Sequence, residues 1–586
     1  MNQTTKPTPI SNTSFAWKYL TTEKSSFSLA LLFVLINSAL QITTPEVIKY
    51  IINTVIPAKD YNLLLIITVI MLGVFLIQGL IFRSQVETVG YAAQRIMLKI
   101  RSNLFSHIQK LNLEFFNQNS SGDLISRINS DTTIVDNFLS QYIFAFTSSF
   151  FVFIGFGGYL AYLNLPLALL AYTSIIIVII ISSLLRPTIL VTNKRALEIN
   201  GTLKKVLADN LNNYQVIQAY NIQNQLVQEF EVANLKAQQL NYHNRIFINF
   251  FNPIYNLAGN LALGIILGFI LFSSGSLRDI GLVIAFVYAV TKFFGPLREL
   301  GAVFAQLAES VAALDRIRQI LNHPVTDLFN PTPLERPASL ASDNHKLALE
   351  IKDLSFKYDN NPEFTLQEVT FEVLTNSKLA IIGPTGEGKS TLAKLIAGLL
   401  EPTTGSLKVM GRDLKDWNRE EFYNTVGFIL QDPFLFSGSV ASNIVYGNPK
   451  YEHYNLLLLG DKQAVKDSQN QLIISVIEDI KVHRLDQIIP NLNEFLAVIV
   501  SNNSQNISQG QKQIINFIRV LLREPKLLIL DEATANLDTV TEQYLQKALD
   551  NLTHKTTQII IAHRQNTIKD ASQVLMVGGG RTVIRD

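Results

Sequence analysis

The sequence predicts two joined architectures, an α-helical membrane domain of six spans and a soluble α/β domain. Three observations carry that expectation. Uncharged apolar runs of about 20 residues, the length that crosses about 30 Å of hydrocarbon, recur through the first half. A stretch dense in Pro, Ser and Asn follows residue 322. Beyond it, short apolar runs alternate with helical patterns, as buried parallel strands and their crossover helices do. Composition agrees, with 48% hydrophobic and only 16% charged residues. A net charge of +2 without a basic stripe gives no reason to expect a nucleic-acid partner. The absence of cysteine excludes disulfides, thiolate metal sites and thiol nucleophiles.

The spans follow in order. Residues 25–45 and 61–82 contain no Asp, Glu, Lys or Arg, and each reads as one crossing. No small-residue cleavage site follows the apolar part of the first run, so it reads as a retained span rather than a cleaved leader. Residues 137–185 are uncharged throughout and broken at Asn164-Leu165-Pro166, which fits two spans joined by a tight turn. Residues 246–277 supply a fifth span. The sixth, Ile280 to Ala302, includes Lys292, Arg298 and Glu299. These three snorkel to the interface, lie beyond the bilayer or face an aqueous cavity, because charge at a helix centre costs about 2.5–3.5 kcal/mol.

Orientation comes from the connections. The segment after the second span carries Arg83, Arg95, Lys99, Arg101, Lys110 and Arg127. The one after the fourth carries Arg186, Lys194, Arg195, Lys204, Lys205, Lys236 and Arg245. The opposite connections are short and hold only Lys49, Lys59 and Arg278. By the positive-inside rule the N-terminus is cytoplasmic and the sixth span returns the chain there. Both long segments show helical spacing, for example Ile96, Ile100, Leu104 and Ile108, and read as helices continuing out of the membrane. Their polar interruptions, Asn117 to Gly122 and Asn210 to Tyr214, read as hairpin tips.

Residues 1–321 therefore read as the membrane domain, 322–347 as a linker and 348–586 as the soluble domain. In the latter, GPTGEGKST places Gly383, Pro384, Thr385, Gly386, Glu387, Gly388, Lys389, Ser390 and Thr391 between an apolar strand and a helix. That arrangement turns backbone N–H groups and a helix N-terminus toward phosphate, with Lys389 reaching the β and γ phosphates and Ser390 placed for Mg2+. In LLILDEATANLD a buried strand delivers Asp531 toward the metal, and Glu532 beside it is placed to activate a water. His563 follows a third apolar strand, in TQIIIAHR.

Together these motifs resemble the ATP-binding cassette family over nearly the whole chain, as a half-size exporter with one six-span membrane domain fused to one P-loop NTPase cassette. The membrane half is similar as well, in EFFNQNSSGDLISRINSD and AFVYAVTKFFGPLREL. The resemblance implies that Gln431 in ILQDPFLF contacts the metal and the reacting water. It further implies that Tyr358 stacks on adenine, that Asp538 is the D-loop aspartate and that His563 is the switch histidine. The run NISQGQ is similar to the family signature, so Ser508, Gly510 and Gln511 are expected to close over ATP bound by a second chain, with a helix beginning near Gln511. The implied cofactors are ATP and Mg2+, and the implied unit is a dimer, a homodimer ahead of a heterodimer. The expected activity is ATP-driven export or flipping of an amphipathic, lipid- or glycan-linked cargo at the cytoplasmic membrane. The Phe-rich spans fit that cargo and equally fit rings facing acyl chains. An ATP-gated channel or regulatory subunit is the alternative, and the presence of Glu532 and His563 argues against it. Ser501-Asn502-Asn503-Ser504 departs from the family pattern ahead of the signature, as does Phe517-Ile518-Arg519-Val520 after it.

Overall fold

The computed structural model describes residues 17–249, 280–325, 328–329, 346–358, 363–452, 462–482, 491–501, 504–531, 539–552, 555–562 and 571–585, with scattered residues between 253 and 268 and between 485 and 489. The chain forms two compact units, Met1–Gln109 with Ser121–His323, and Lys110–Ser120 with Pro324–Asp586.

The first unit is helical. Helix α1 (Lys24–Tyr50) continues through a π turn at Ile51–Val55 to Ala58. Lys59 then adopts a left-handed conformation, and the Asp60 carboxylate caps α2 (Tyr61–Ile108) by accepting from the Leu63 N–H at 2.9 Å. Helix α2 has 48 residues and is about 70 Å long, more than twice the hydrocarbon thickness, as the predicted cytoplasmic extensions require. From Ser121 the chain is helical through two further π turns, Arg127–Asp131 and Phe138–Tyr142, into α4 (Ile143–Leu163). The expected turn stands at Asn164, whose side chain accepts from the Leu167 N–H and starts α5 (Leu165–Asn212). Helices α6 (Gln223–Asn249) and α7 (Ile280–Leu321) follow. Three of the described helices, Trp17–Ala58, Tyr61–Ile108 and Ser121–Leu163, are long and apolar enough to cross a membrane, with shorter apolar stretches at Leu165–Ile176 and Ile280–Pro296. Most of the fifth predicted span, 246–277, lies outside the described residues.

Small residues let α4, α5 and α7 approach closely. Ala168, Ala171 and Ala289 pack with Phe156, Phe286 and Phe293 in one buried cluster, where the Phe153 and Phe293 rings stack at 4.7 Å. Beyond the apolar stretches, Asp131 on the first of those two π turns is buried and accepts from Arg316 Nε at 2.9 Å and Nη2 at 2.5 Å. Arg101 donates to Thr132 beside it at 2.9 Å. Asn200 and Asn241 exchange amide hydrogen bonds of 3.1 and 3.0 Å between α5 and α6, fixing their register.

The helices break inside both predicted tips, at 119–120 and at Asn213, and each tip also carries a short helix that the sequence did not suggest. Asn112 caps the Phe115 N–H at 3.0 Å, and the short helix α3 (Leu113–Gln118) forms because burying Phe115 outweighs the turn propensity of the Asn residues beside it. Similarly, a short helix at Tyr214–Tyr220, closed by left-handed Asn221, occupies the second tip after Asn213.

Among the described residues the second unit holds three sheets. Strands β1 (Leu347–Phe356), β2 (Leu366–Leu374), β4 (Thr404–Val409) and β5 (Arg412–Asp413) form an antiparallel sheet in the order β2-β1-β4-β5. The larger sheet has the order β12-β11-β3-β10-β9-β6. Here β3 (Lys378–Ile382), β6 (Val426–Ile429), β9 (Leu527–Asp531), β10 (Thr557–Ile561) and β11 (Gln573–Gly578) are parallel, and β12 (Arg581–Arg585) is an antiparallel edge. Strands β7 (Gly438–Ser439) and β8 (Ile499–Val500) pair separately. Helix α8 (Lys389–Ile396) packs its apolar face between the two large sheets. Helices α9 (Val440–Val445), α10 (Lys462–Val482), α11 (Leu492–Ala497) and α12 (Gln509–Leu521) enclose a second core.

Phe329, inside the predicted 322–347 linker, is buried in the first of these cores. Its ring centroid lies 5.0 Å from that of Phe422 and 5.6 Å from that of Tyr423, with the Arg419 guanidinium 5.6 Å above it. Leu113 of α3 packs on the edge of the same core.

Candidate functional site

The predicted phosphate loop leaves the middle of the parallel sheet. Strand β3 is buried between β10 and β11, and Gly383 follows it with φ +150°. A Cβ there would be driven into the Val577 carbonyl oxygen, so glycine is required by contact and conformation together. Gly386 (φ +90°) and Gly388 (φ +96°) carry the chain around to the N-terminus of α8, and a Cβ on Gly388 would come within 3.0 Å of Leu366. Lys389 is buried, and its Nζ donates to the Gly383 and Pro384 carbonyls at 2.8 and 2.7 Å, spanning the loop from within.

Two side chains then connect strand ends to this helix. The Ser390 hydroxyl donates to Asp531 Oδ1 at 3.2 Å, bringing the second residue of α8 to the end of β9. The Tyr358 hydroxyl lies 3.2 Å from Thr391 Oγ1, and its ring packs edge-on against Phe356 at 4.9 Å. A buried carboxylate and a hydroxyl from adjacent elements form a hard oxygen donor set that suits Mg2+, and the glycine cradle beside them suits phosphate. Gln431 follows β6 and is exposed. Glu532, Asp538 and His563 lie outside the described residues; the strands preceding Glu532 and His563, β9 and β10, are adjacent and in parallel register, with Asp531 opposite Ile561.

The structure also brings in a residue that motif reading passed over. The Gly579 N–H, in the β11–β12 hairpin, donates to Glu387 Oε2 at 2.6 Å and braces the loop from outside. The sequence carries no motif that pairs these two positions; Gly578, Gly579 and Gly580 mark only a tight turn.

The NISQGQ run starts α12 two residues earlier than expected, at Gln509. Ser508 is its N-cap: the Ser508 Oγ accepts from the Gln511 N–H at 3.2 Å, and Gln511 Oε1 accepts from the Ser508 N–H at 3.0 Å. Both side chains are exposed, whereas the opposite face of the helix, including Ile515, Phe517 and Ile518, is buried. Ahead of it, Asn506 ties back to Ser501: its Oδ1 accepts from the Ser501 N–H and Oγ at 2.9 and 2.8 Å, and its amide donates to the Ile499 carbonyl at 2.7 Å. Further along α12, Arg519 donates from Nε to the Asn443 carbonyl at 2.7 Å and from Nη1 to the Phe434 carbonyl at 3.3 Å. Burial pushes its guanidinium down to about 10, still protonated at neutral pH.

Comparison with known proteins matches both halves of the chain. The ABC transporter transmembrane region matches residues 27–297, and the ABC transporter domain matches residues 366–535. An uncharacterized ABC transporter ATP-binding protein of Bacillus subtilis (strain 168), YfiC, is 29% identical over 571 residues, covering 97% of this chain and 90% of the relative. An ATP-dependent lipid A-core flippase of Thiobacillus denitrificans is 25% identical over 559 residues, covering 95% and 92%. A probable multidrug resistance ABC transporter protein of Bacillus subtilis, YheH, is 27% identical over 499 residues, covering 84% and 70%. Among solved structures, a bacterial Atm1-family ABC exporter with ATP bound shares the fold, with a TM-score of 0.76 at 21% identity over 95% of this chain and 94% of that one.

Proposed function

The chain belongs to the ABC transporter family as an exporter-type ATPase with its transmembrane region and cassette fused, and on that premise we propose that two such chains hydrolyse ATP to flip or export an amphipathic, lipid-linked cargo. The observation that carries the chemistry is the Ser390–Asp531 contact of 3.2 Å at the mouth of the glycine cradle. Gly383 to Gly388 would hold the phosphates through backbone N–H groups, and Lys389 would exchange its two loop carbonyls for the β and γ phosphates. Tyr358 would face the adenine. Ser390, Asp531 and Gln431 would hold Mg2+, which when bound neutralises charge developing on the phosphate oxygens. Glu532 would orient and deprotonate the attacking water, and His563 would contact the γ phosphate.

Ser508, Gly510, Gln511 and Asp538 would complete the site of the other chain, which makes the dimer the working unit. Exposed Ser508 and Gln511 on an already capped helix support that reading. A homodimer is the simplest assembly of a chain with one full motif set, and in each chain residues 1–321 would form the membrane domain and 348–586 the cassette, joined by 322–347, whose Phe329 packs into the cassette core. The N-terminus and cassette would lie in the cytoplasm. The lipid A-core flippases among the relatives, at 25 and 26% identity, support a lipid-linked cargo.

The test is ATPase turnover of the purified chain in lipid nanodiscs, with Glu532→Gln as control. Turnover that depends on Glu532 is the expected result; turnover indifferent to it refutes the assignment. Cross-linking the purified single gene product at exposed Gln509→Cys distinguishes a homodimer from half of a heterodimer.

A further inference from the structure

A polar cavity of about 300 Å³ lies within the second unit, where α12 ends and β6 and β9 begin. Asn424 precedes β6, Arg523 and Glu524 precede β9, and the Lys526 N–H donates to the Thr425 carbonyl at 2.9 Å between the two strands. Both strands run parallel to β3, whose far end leads into Gly383. The cavity therefore stands about a strand's length, roughly 16 Å, from the phosphate loop and is no part of it.

Arg523 is the unusual residue in its wall. The side chain is half-buried, and among the described residues no carboxylate pairs with it. Its Nη2 donates to Asn424 Oδ1 at 3.1 Å, while its Nε is buried without a hydrogen-bond partner. Burial alone moves the guanidinium below its ordinary value. A guanidinium has five N–H donors, and a buried donor left unmade carries a desolvation cost that one amide contact elsewhere on the group does not return. Capping of α12 does not account for the charge either, because the last carbonyls of that helix already have donors. Val520 accepts from the Arg523 N–H at 3.2 Å, Leu521 from the Glu524 N–H at 3.0 Å and Leu522 from Asn448 Nδ2 at 3.2 Å.

The other charges around the cavity are answered. Lys450 Nζ donates to both Asp479 oxygens at 2.6 and 2.5 Å, and the Tyr451 hydroxyl donates to the same carboxylate. Glu524 is exposed, where water screens its charge. Beside a lysine and an aspartate that cancel, the guanidinium is the charge left for a ligand. An anion seated against it would supply the acceptors that the protein does not, and the planar fork matches carboxylate and phosphate alike. Space is present as well: the nearest atom to a Cβ on Gly447 would be Arg523 Nη1, at 4.0 Å, so Gly447 puts no side chain over that end of the group.

We propose that this cavity is a binding site for a small carboxylate or phosphate anion, held by the Arg523 guanidinium with Asn424 orienting it, at the end of the cassette sheet away from ATP.

The test uses the full chain in phosphatidylcholine nanodiscs, whose zwitterionic headgroups add no net anionic charge. Saturating Mg2+ and a non-hydrolysable ATP analogue fill the phosphate loop, so that it cannot take up the probes. Inorganic phosphate and succinate are titrated at constant ionic strength by calorimetry, and backbone hydrogen exchange is followed with and without each probe. Wild type is expected to bind at least one probe with a Kd in the millimolar range, and the probe should slow exchange of the amides at 447–450 and 522–526. Arg523→Met should raise that Kd about tenfold or more, the loss of charge-assisted contacts, and Arg523→Lys by less. Binding of phosphate alone assigns the site to phosphates, binding of succinate alone to carboxylates, and binding of both to either anion; each supports the proposal. It is overturned if wild type shows no saturable binding of either probe across the millimolar range, or if a folded Arg523→Met variant keeps the wild-type Kd. Should Arg523→Met not fold, the wild-type exchange map decides, since protection confined to other segments places the anion elsewhere.

Discussion

Phe329→Ala is the sharpest test of how the cassette is held together. The ring is 4% exposed and contacts Phe422, Tyr423 and the Arg419 guanidinium. A Cβ on Gly398 would stand 2.9 Å from its Cζ, so the backbone there has closed over the ring and cannot collapse further without moving α8. Truncation of a buried Phe costs about 3–5 kcal/mol, the upper part of that range where the site cannot relax. Loss of the aromatic pairs and of the partly exposed cation–π contact is included in that figure rather than added to it. For a unit of this size about 1 kcal/mol lowers Tm by roughly 2–4 °C, so the cassette transition should fall by about 6–20 °C. Differential scanning fluorimetry of the full chain with and without ATP separates the cassette transition, which ATP raises, from that of the helical unit. Phe329→Leu should recover at least half of the loss. A shift below about 2 °C for Phe329→Ala would show that residues 324–329 are a passive tether and that the packing argument is wrong.

Four further outcomes follow from the site and the helical unit. Asp531→Asn should weaken retention of Mg2+-ATP while leaving metal-free ATP binding within a few-fold, checked by calorimetry with and without EDTA, because Asn keeps a contact to Ser390 but not the charge. Ser508→Ala should cost about 1 kcal/mol of stability through the lost cap, yet abolish most ATPase activity, read by comparing Tm with turnover. In a double-mutant cycle, Asp131→Ala and Arg316→Ala should couple by about 1–3 kcal/mol in thermal unfolding, less than a fully buried pair because the Arg316 side chain is 42% exposed. Across pH 5 to 9 the Arg519 anchor should contribute a constant amount. Its depressed value, about 10, leaves it protonated in both folded and unfolded states below that pH; only above it does the unfolded chain hold the extra proton, so that stability would rise there with pH.

What could be read from the sequence follows the range of the forces involved. Hydrocarbon thickness and backbone satisfaction act over 20-residue windows, so the described spans and the Asn164 turn were legible, and strand–glycine–helix order exposed the loop at Gly383. The short helix at each hairpin tip was not legible: Asn117 and Asn119 signal only a turn locally, while Phe115 finds burial only in the folded chain. Phe329 was hidden for the same reason: one aromatic among Pro, Ser and Asn carries no period, and only its partners near residue 422 define it. The Glu387–Gly579 brace joins positions nearly 200 residues apart through two neighbouring strands, a contact that no local pattern encodes.

The signature run shows how one short polar segment serves two demands. A serine hydroxyl has one proton to donate and two lone pairs to accept with. In the capping box Ser508 Oγ uses an acceptor position toward the Gln511 N–H, so its own proton is uncommitted by the cap. Gln511 likewise spends its carbonyl on the Ser508 N–H and keeps its NH2 group. Folding therefore consumes acceptors and leaves donors, at the N-terminus of α12, where the helix dipole already favours an anion. A cap built from Asp or Asn could hold the helix but would offer a carboxylate or another acceptor in the same place. On this reasoning Ser508→Asp should preserve the helix and its Tm while suppressing turnover at least as strongly as Ser508→Ala, since it brings negative charge toward the phosphate of the second chain. A Ser508→Asp variant with near wild-type turnover would show that this end of α12 meets no phosphate.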